Sequence, residues 1–154
     1  MYTMDDVTWL QAGDTLPLDG GTLTVLGPVE KNGEAENCNS LVLLAEGGGG
    51  RILLAGDMEF PEESTLLNAG ADLKADVLKV GNHGENDATS NAFIAAVQPS
   101  LAVIPTDSEE EPDTPSPRVL RLLETWNVAV KVTQDASVGV LVTLRDGEVL
   151  YEMK

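Results

Sequence analysis

Histidine occurs once in this chain, as His83 in the stretch LKVGNHGENDATS from Leu78 to Ser90. A glycine stands on each side of the Asn82-His83 pair, and a polar loop follows. An imidazole can move a proton or bind a metal through a neutral ring nitrogen. The carboxylate best placed to work with it is Asp57, at the end of the apolar run RILLAGD. An aspartate just past a buried strand costs heavily unless it is paired, solvated or on a metal. Carboxylate and imidazole together are good ligands for a borderline divalent ion such as zinc. Gly56, Gly81 and Gly84 would let backbone and ligands approach closely. A third polar loop, PTDSEEEPDTPSP, also follows an apolar run; it offers Asp113 and Thr114, and the His83 loop offers Asp87. Plainer readings stand beside these. Asp57 can act as the N-cap of a following helix, and His83 can be an exposed or hydrogen-bonded loop residue. Two ligands also fall short of the three protein ligands plus water usual at catalytic zinc.

Composition narrows the chemistry further. The 154 residues suit one domain with a real core, and 42% hydrophobic against 23% charged residues is a globular balance. The only cysteine, Cys38, excludes an internal disulfide and a thiolate zinc cluster; flanked by asparagines, it reads as a small packed residue rather than a nucleophile. A net charge of −17 repels nucleic acid, so no strong direct nucleic-acid binding is expected. Part of that charge lies in DSEEEPD, Asp107 to Asp113, which reads as a solvated loop or, functionally, as a cation-attracting rim. No apolar run approaches the ~18 residues of a membrane span. The opening MYTMDDVTWLQ lacks the basic and apolar regions of a signal peptide.

The elements that must hold these residues form a layered α/β pattern, with strands first and then strands alternating with helices. Short strands are expected at Val7–Gln11 and Thr15–Leu18, followed by an alternating strand in GTLTVLGP. Ser40–Glu46 and Arg51–Asp57 read as a hairpin across Gly47–Gly50, apolar enough for both faces to be covered. PEESTLLNAG carries helix start and stop signals. Ala75–Val80 and SLAVIPT read as buried strands, with a helix capped by Ser90 between them. A last helix has Pro117 in its first turn and Val119, Leu122, Leu123 and Trp126 on one face. Three strands close the chain, the last two joined by a turn at Asp146-Gly147. Loops at the carboxyl ends of such strands are where a site gathers.

Four ordered stretches carry a resemblance: Asn37 to Leu44, Leu53 to Asp57, Ala75 to Gly84 and Thr114 to Pro117. Together they resemble the metallo-β-lactamase superfamily, in particular the soluble domain of ComEC-type DNA-uptake proteins. There an N-x-NS-L-V-L strand precedes a LL-TGD strand end, then AD-V-L-K-V-x-HHGS, then a HPSP helix start. The resemblance implies an αββα sandwich with a dinuclear metal site, usually zinc, whose bridging water hydrolyses an ester, phosphodiester or lactam. It places Asp57 at the metal-bridging aspartate and His83 at the second histidine of HHG. Asn39, Asn82, Asp87, Asp113 and Thr114 would line the site. The departures are as informative. Nothing here matches the family's H-x-H-x-D-H motif; Asn82 and Thr114 stand where the family has histidines, and Glu85 where it often has serine.

The resemblance therefore implies the second half, or a truncated form, of the sandwich. Its partner would be an amino-terminal half or a larger parent protein, and its compartment would lie outside the cytoplasm. Two functions follow. One is part of a metal-dependent hydrolase, inactive as this chain alone. The other is a degenerate, non-catalytic module for scaffolding or partner binding. Zinc or another divalent metal is the implied cofactor, though an asparagine oxygen at position 82 would favour harder ions.

Overall fold

The computed structural model describes residues 8–30 and 39–154. Cys38, with Asn37 beside it, lies outside the described residues. Among these residues, nine strands and three α-helices alternate much as the sequence pattern requires: β1 (Thr15–Leu18), β2 (Gly21–Gly27), β3 (Val42–Gly47), β4 (Gly50–Leu54), α1 (Phe60–Asn68), β5 (Val77–Lys79), α2 (Asn91–Val97), β6 (Leu101–Ile104), α3 (Pro117–Thr125), β7 (Ala129–Val132), β8 (Val140–Arg145) and β9 (Glu148–Met153). The first seven strands form one sheet in sequence order, and β8 pairs with β9 in a second, two-stranded sheet.

The sheet changes character at β4. Strands β1 to β4 are antiparallel, whereas β4, β5, β6 and β7 run parallel through helical crossovers. The β3–β4 turn is Gly48-Gly49, with φ of 60° and 79°. Two consecutive left-handed residues match the twist of a hairpin, and glycine takes them at no steric cost. Asp146-Gly147 makes the same kind of turn between β8 and β9, with φ of 53° and 80°.

Register explains the core. Leu44 pairs with Leu53, Leu53 with Leu78, Leu78 with Ala102 and Ala102 with Val130, which sets one apolar row across five strands. Leu66, Phe93, Ile94, Val97, Val119 and Leu123 of the three helices join that row in one buried cluster. Burying each such large side chain contributes roughly 1.5–3 kcal/mol. The opposite row, Leu43, Leu54, Lys79 and Val103, is half-buried. The β8–β9 sheet lies over that side, with Leu144 against Gly48 and Gly50 and the Lys131 ammonium 4.6 Å from the centre of the Tyr151 ring. The order of layers is thus helices, large sheet, small sheet.

Local differences from the sequence reading have local causes. Thr8–Gln11 is not a strand; the chain there turns through Gly13, whose N–H donates to Val25, and joins the sheet only at Thr15. The second face of the β3–β4 hairpin is only partly covered, because a two-stranded sheet is too narrow to cap seven strands. Trp126 is 38% exposed, because α3 ends at Thr125 and the indole swings out to donate to Asn91. Glu62 and Glu63, the acids of the helix-start signal, are both buried.

Candidate functional site

Because β4, β5 and β6 are parallel, their carboxyl ends share one edge of the sheet. Asp57 follows β4, His83 follows β5, and the loop of Thr106 to Ser116 follows β6. The three meet. Asp57 Oδ1 lies 3.3 Å from His83 Nε2, and Glu111 Oε2 lies 3.3 Å from His83 Nδ1. The ring is therefore flanked by one carboxylate at each nitrogen, and both contacts are ion pairs when the ring is protonated.

Each participant is held by its own element. The reading of Asp57 as a helix cap does not hold: the N-cap of α1 is Glu59, and it makes no side-chain cap bond. The Asp57 N–H instead donates to Ser40 Oγ at 3.2 Å, beside the half-buried Asn39, so Ser40 supports the aspartate loop. Lys79, the last residue of β5, places its ammonium 3.5 Å from Asp57 Oδ1 and donates to the Gly56 carbonyl. Burial lowers the Lys79 pKa and the Asp57 charge draws it back up.

His83 sits in a single tight turn, Gly81–Gly84, in which Asn82 (φ 42°) and His83 (φ 51°) are both left-handed. Such a conformation costs a non-glycine residue on the order of 1 kcal/mol or more. Asn82 is buried and its amide donates to Asp87 Oδ1 at 3.2 Å, while its N–H donates to the Gly56 carbonyl at 3.3 Å. The glycines do permit close approach, but to the protein itself. A Cβ on Gly81 would stand 2.8 Å from the Met58 carbonyl oxygen, and one on Gly84 would press Ile104 and Pro115.

In the third loop, buried Thr114 hydrogen-bonds the Glu111 carbonyl at 2.8 Å and contacts the Thr106 hydroxyl. Glu111 Oε2 lies 3.4 Å from Thr106 Oγ1, so these hydroxyls support the carboxylate that reaches His83. Asp113 is exposed, and Glu111 is the residue of this run that turns inward. The remaining acids crowd the mouth. Partial burial, then Asp87, Glu111 and Glu59, push the Glu85 carboxyl above its usual range. A cleft beside the site, between Thr106–Glu109 and Thr133–Ala136, is lined by three more acids, Asp107, Glu109 and Asp135.

The sequence pointed to Asp57 and His83, and it missed Lys79 and Glu111. A lysine inside the apolar ADVLKV run was a usable signal for the first. Nothing distinguished Glu111 from its neighbours in DSEEEPD.

The donor set fits a metal only in part. Two ligands at ~2.0–2.1 Å from a tetrahedral zinc lie roughly 3.3 Å apart, which is the separation of Asp57 Oδ1 and His83 Nε2. A third donor on that side is lacking: Glu111 addresses the other ring nitrogen, and the described residues hold no group of three or more His, Cys, Asp or Glu arranged around one ion. No helix among the described residues is long and apolar enough to cross a membrane.

Fold and cluster thus define a layered α/β domain with a histidine–carboxylate site at the carboxyl edge of its parallel strands. The chain is similar to parts of larger proteins, one of them named a competence protein. The chain is 34% identical over 145 residues, 94% of its length, to ComE operon protein 3 of Bacillus subtilis (strain 168). It is 36% identical over 86 residues, 55% of its length, to Competence protein ComA of Neisseria gonorrhoeae. It is 30% identical over 126 residues, 82% of its length, to Recombination protein 2 of Haemophilus influenzae (strain ATCC 51907 / DSM 11121 / KW20 / Rd). The matched regions span only 17%, 12% and 16% of those three relatives. No family model matches the chain.

Proposed function

We propose that this chain is the carboxyl-terminal part of a metallo-β-lactamase-like domain of the ComEC DNA-uptake type, with a hydrolytic site completed by residues outside these 154. The observation that carries this reading is the Asp57–His83 pair, set at ligand spacing on the edge where three parallel strands end. A metal bound there would supply an activated water for phosphodiester or other ester hydrolysis. The residues of this chain would contribute two ligands, with Lys79 orienting the Asp57 carboxylate and Glu111 the imidazole. Similarity to ComE operon protein 3 over 94% of the chain, and to a competence protein over 55% of it, supports the ComEC-type reading.

A second reading is a non-catalytic module for scaffolding or partner binding. It is favoured by the way Asp57 and His83 are already partnered by Lys79 and Glu111, and by the net charge of −17, which repels a phosphodiester.

Hydrolysis of single-stranded DNA and of a phosphodiester reporter, with added zinc or manganese, separates the two. The assay compares the full-length gene product and residues 1–154, each as wild type and as Asp57→Ala. The first reading expects turnover by the full-length product alone, lost in the variant. Turnover by residues 1–154 that Asp57→Ala removes would show that the site is complete within this chain. Absence of turnover from every form would leave the module.

A further inference from the structure

The loop from Glu85 to Ser90 has no helix or strand, yet α1 and α3 hold half of its backbone groups. Arg118, in the first turn of α3, donates Nε to the Asn86 carbonyl at 3.1 Å, Nη1 to the Thr89 carbonyl at 3.0 Å and Nη2 to the Ala88 carbonyl. The Asp87 carbonyl accepts from the Phe60 N–H at 2.9 Å. Four consecutive carbonyls are thereby satisfied. From the other side Glu63, 1% exposed, accepts the Thr89 N–H and, at 2.8 Å, the Ser90 N–H. Arg118 stacks 5.2 Å from the centre of the Phe60 ring, which ties the two helices together at the same place.

A brace this complete is uncommon for an irregular loop, whose backbone groups ordinarily turn to water. It holds an unfavourable conformation. Thr89 is fully buried with φ of 62°, a left-handed conformation that a β-branched residue rarely adopts. The strained loop is the one that carries Asp87, and Asp87 bonds Asn82, the residue before His83. Strained conformations persist only where surrounding contacts determine them, and they cluster where a side chain has to be aimed.

We propose that Glu63 and Arg118 are positioning residues for His83, acting through the 85–90 loop and the Asp87–Asn82 bond to fix the left-handed turn that presents the imidazole to Asp57. The inference takes from the proposed function only that His83 is the side chain the site is built around. It holds with or without a metal.

His83 is the only histidine, so its ring resonances report on the site without assignment ambiguity. The experiment records them at constant pH, in metal-free protein, for wild type, Glu63→Gln, Arg118→Lys and Val97→Ala, together with the melting temperature of each. Glutamine at 63 turns one of the two acceptors into a donor facing an N–H. Lysine at 118 keeps the charge but cannot span three carbonyls. Val97→Ala removes buried volume at the far end of α2 and serves as a control for general destabilisation. The expected result is that Glu63→Gln and Arg118→Lys move or broaden the His83 signals by more than a line width, while Val97→Ala lowers the melting temperature and leaves them in place. Unmoved signals in both brace variants would overturn the proposal, and so would equal movement in the control. Should Glu63→Gln not fold, Arg118→Lys decides alone. Failure of this test leaves the hydrolysis assay unaffected, and an inactive protein leaves this test intact.

Discussion

At the scale of single residues, a metal entering this site must compete for both of its donors. Asp57 Oδ1 already faces the Lys79 ammonium at 3.5 Å, and His83 must present Nε2 unprotonated before it can ligate. The isolated chain is therefore expected to bind zinc more weakly than micromolar by calorimetry at neutral pH, with His83→Ala and Asp57→Asn abolishing what binding there is. Lys79→Met should strengthen it, because the variant removes a cation from beside a carboxylate ligand. A gain of about 1.4 kcal/mol would read as roughly tenfold in Kd. Glu111→Gln should weaken zinc binding by roughly tenfold or more, because its carboxylate at Nδ1 holds the imidazole with Nε2 free to ligate. Micromolar binding by the wild-type chain, or a Lys79→Met variant that binds no better, would show that the pair is read wrongly here.

At the scale of elements, the turns and the cap at Ser90 were legible in the sequence. Ser90 and Ser116 cap α2 and α3 by accepting from Phe93 and Val119 at 3.1 and 3.3 Å, and Pro117 opens α3. Ser90→Ala or Ser116→Ala should each cost about 1 kcal/mol in denaturant unfolding. The glycines make a sharper test. Gly81→Ala drives a Cβ against the Met58 carbonyl, a backbone atom, and should cost roughly 1–3 kcal/mol. Gly70→Ala, at φ of 68° with open space around it, should cost about 1 kcal/mol from conformation alone. Equal losses at the two positions would deny the close approach at Gly81. The edge shared by Asp57, His83 and the 106–116 loop was legible for the same kind of reason, since strands alternating with helices must be parallel and end together. What was hidden depended on neighbours distant in sequence. Asp57 looked like a cap until Ser40 and Lys79 were beside it, 17 and 22 positions away by their numbers. Glu62 and Glu63 matched a helix-start pattern that carries no information on which face of α1 the core would occupy.

At the scale of the whole molecule, the excess of carboxylates makes stability depend on pH, and Glu62 is where the effect concentrates. Its side chain is 4% exposed beside Gly27, and neither carboxylate oxygen has a hydrogen bond of good geometry among the described residues. Burial pushes its pKa from 4.5 to about 7, with the Ser40 N–H nearby drawing it back only in part. A carboxyl raised in the folded state favours folding while it is protonated. Below pH ~4.5 it is protonated folded and unfolded alike, and its contribution is complete. Between pH ~4.5 and 7 the unfolded chain releases the proton first, so stability falls as pH rises, and above pH 7 the loss levels off. The total is on the order of 3 kcal/mol. Mutual repulsion within a chain of net charge −17 acts in the same direction, since each further deprotonation adds to it. Urea unfolding at pH 5 and pH 8 should therefore find the chain more stable at pH 5. Glu62→Gln separates the local from the global contribution: it should match wild type at pH 5 to within about 1 kcal/mol and exceed it at pH 8, leaving only the shallow slope of the overall charge. Parallel curves for the two proteins would mean that Glu62 is ionised at no cost, and that its carboxylate is partnered in solution.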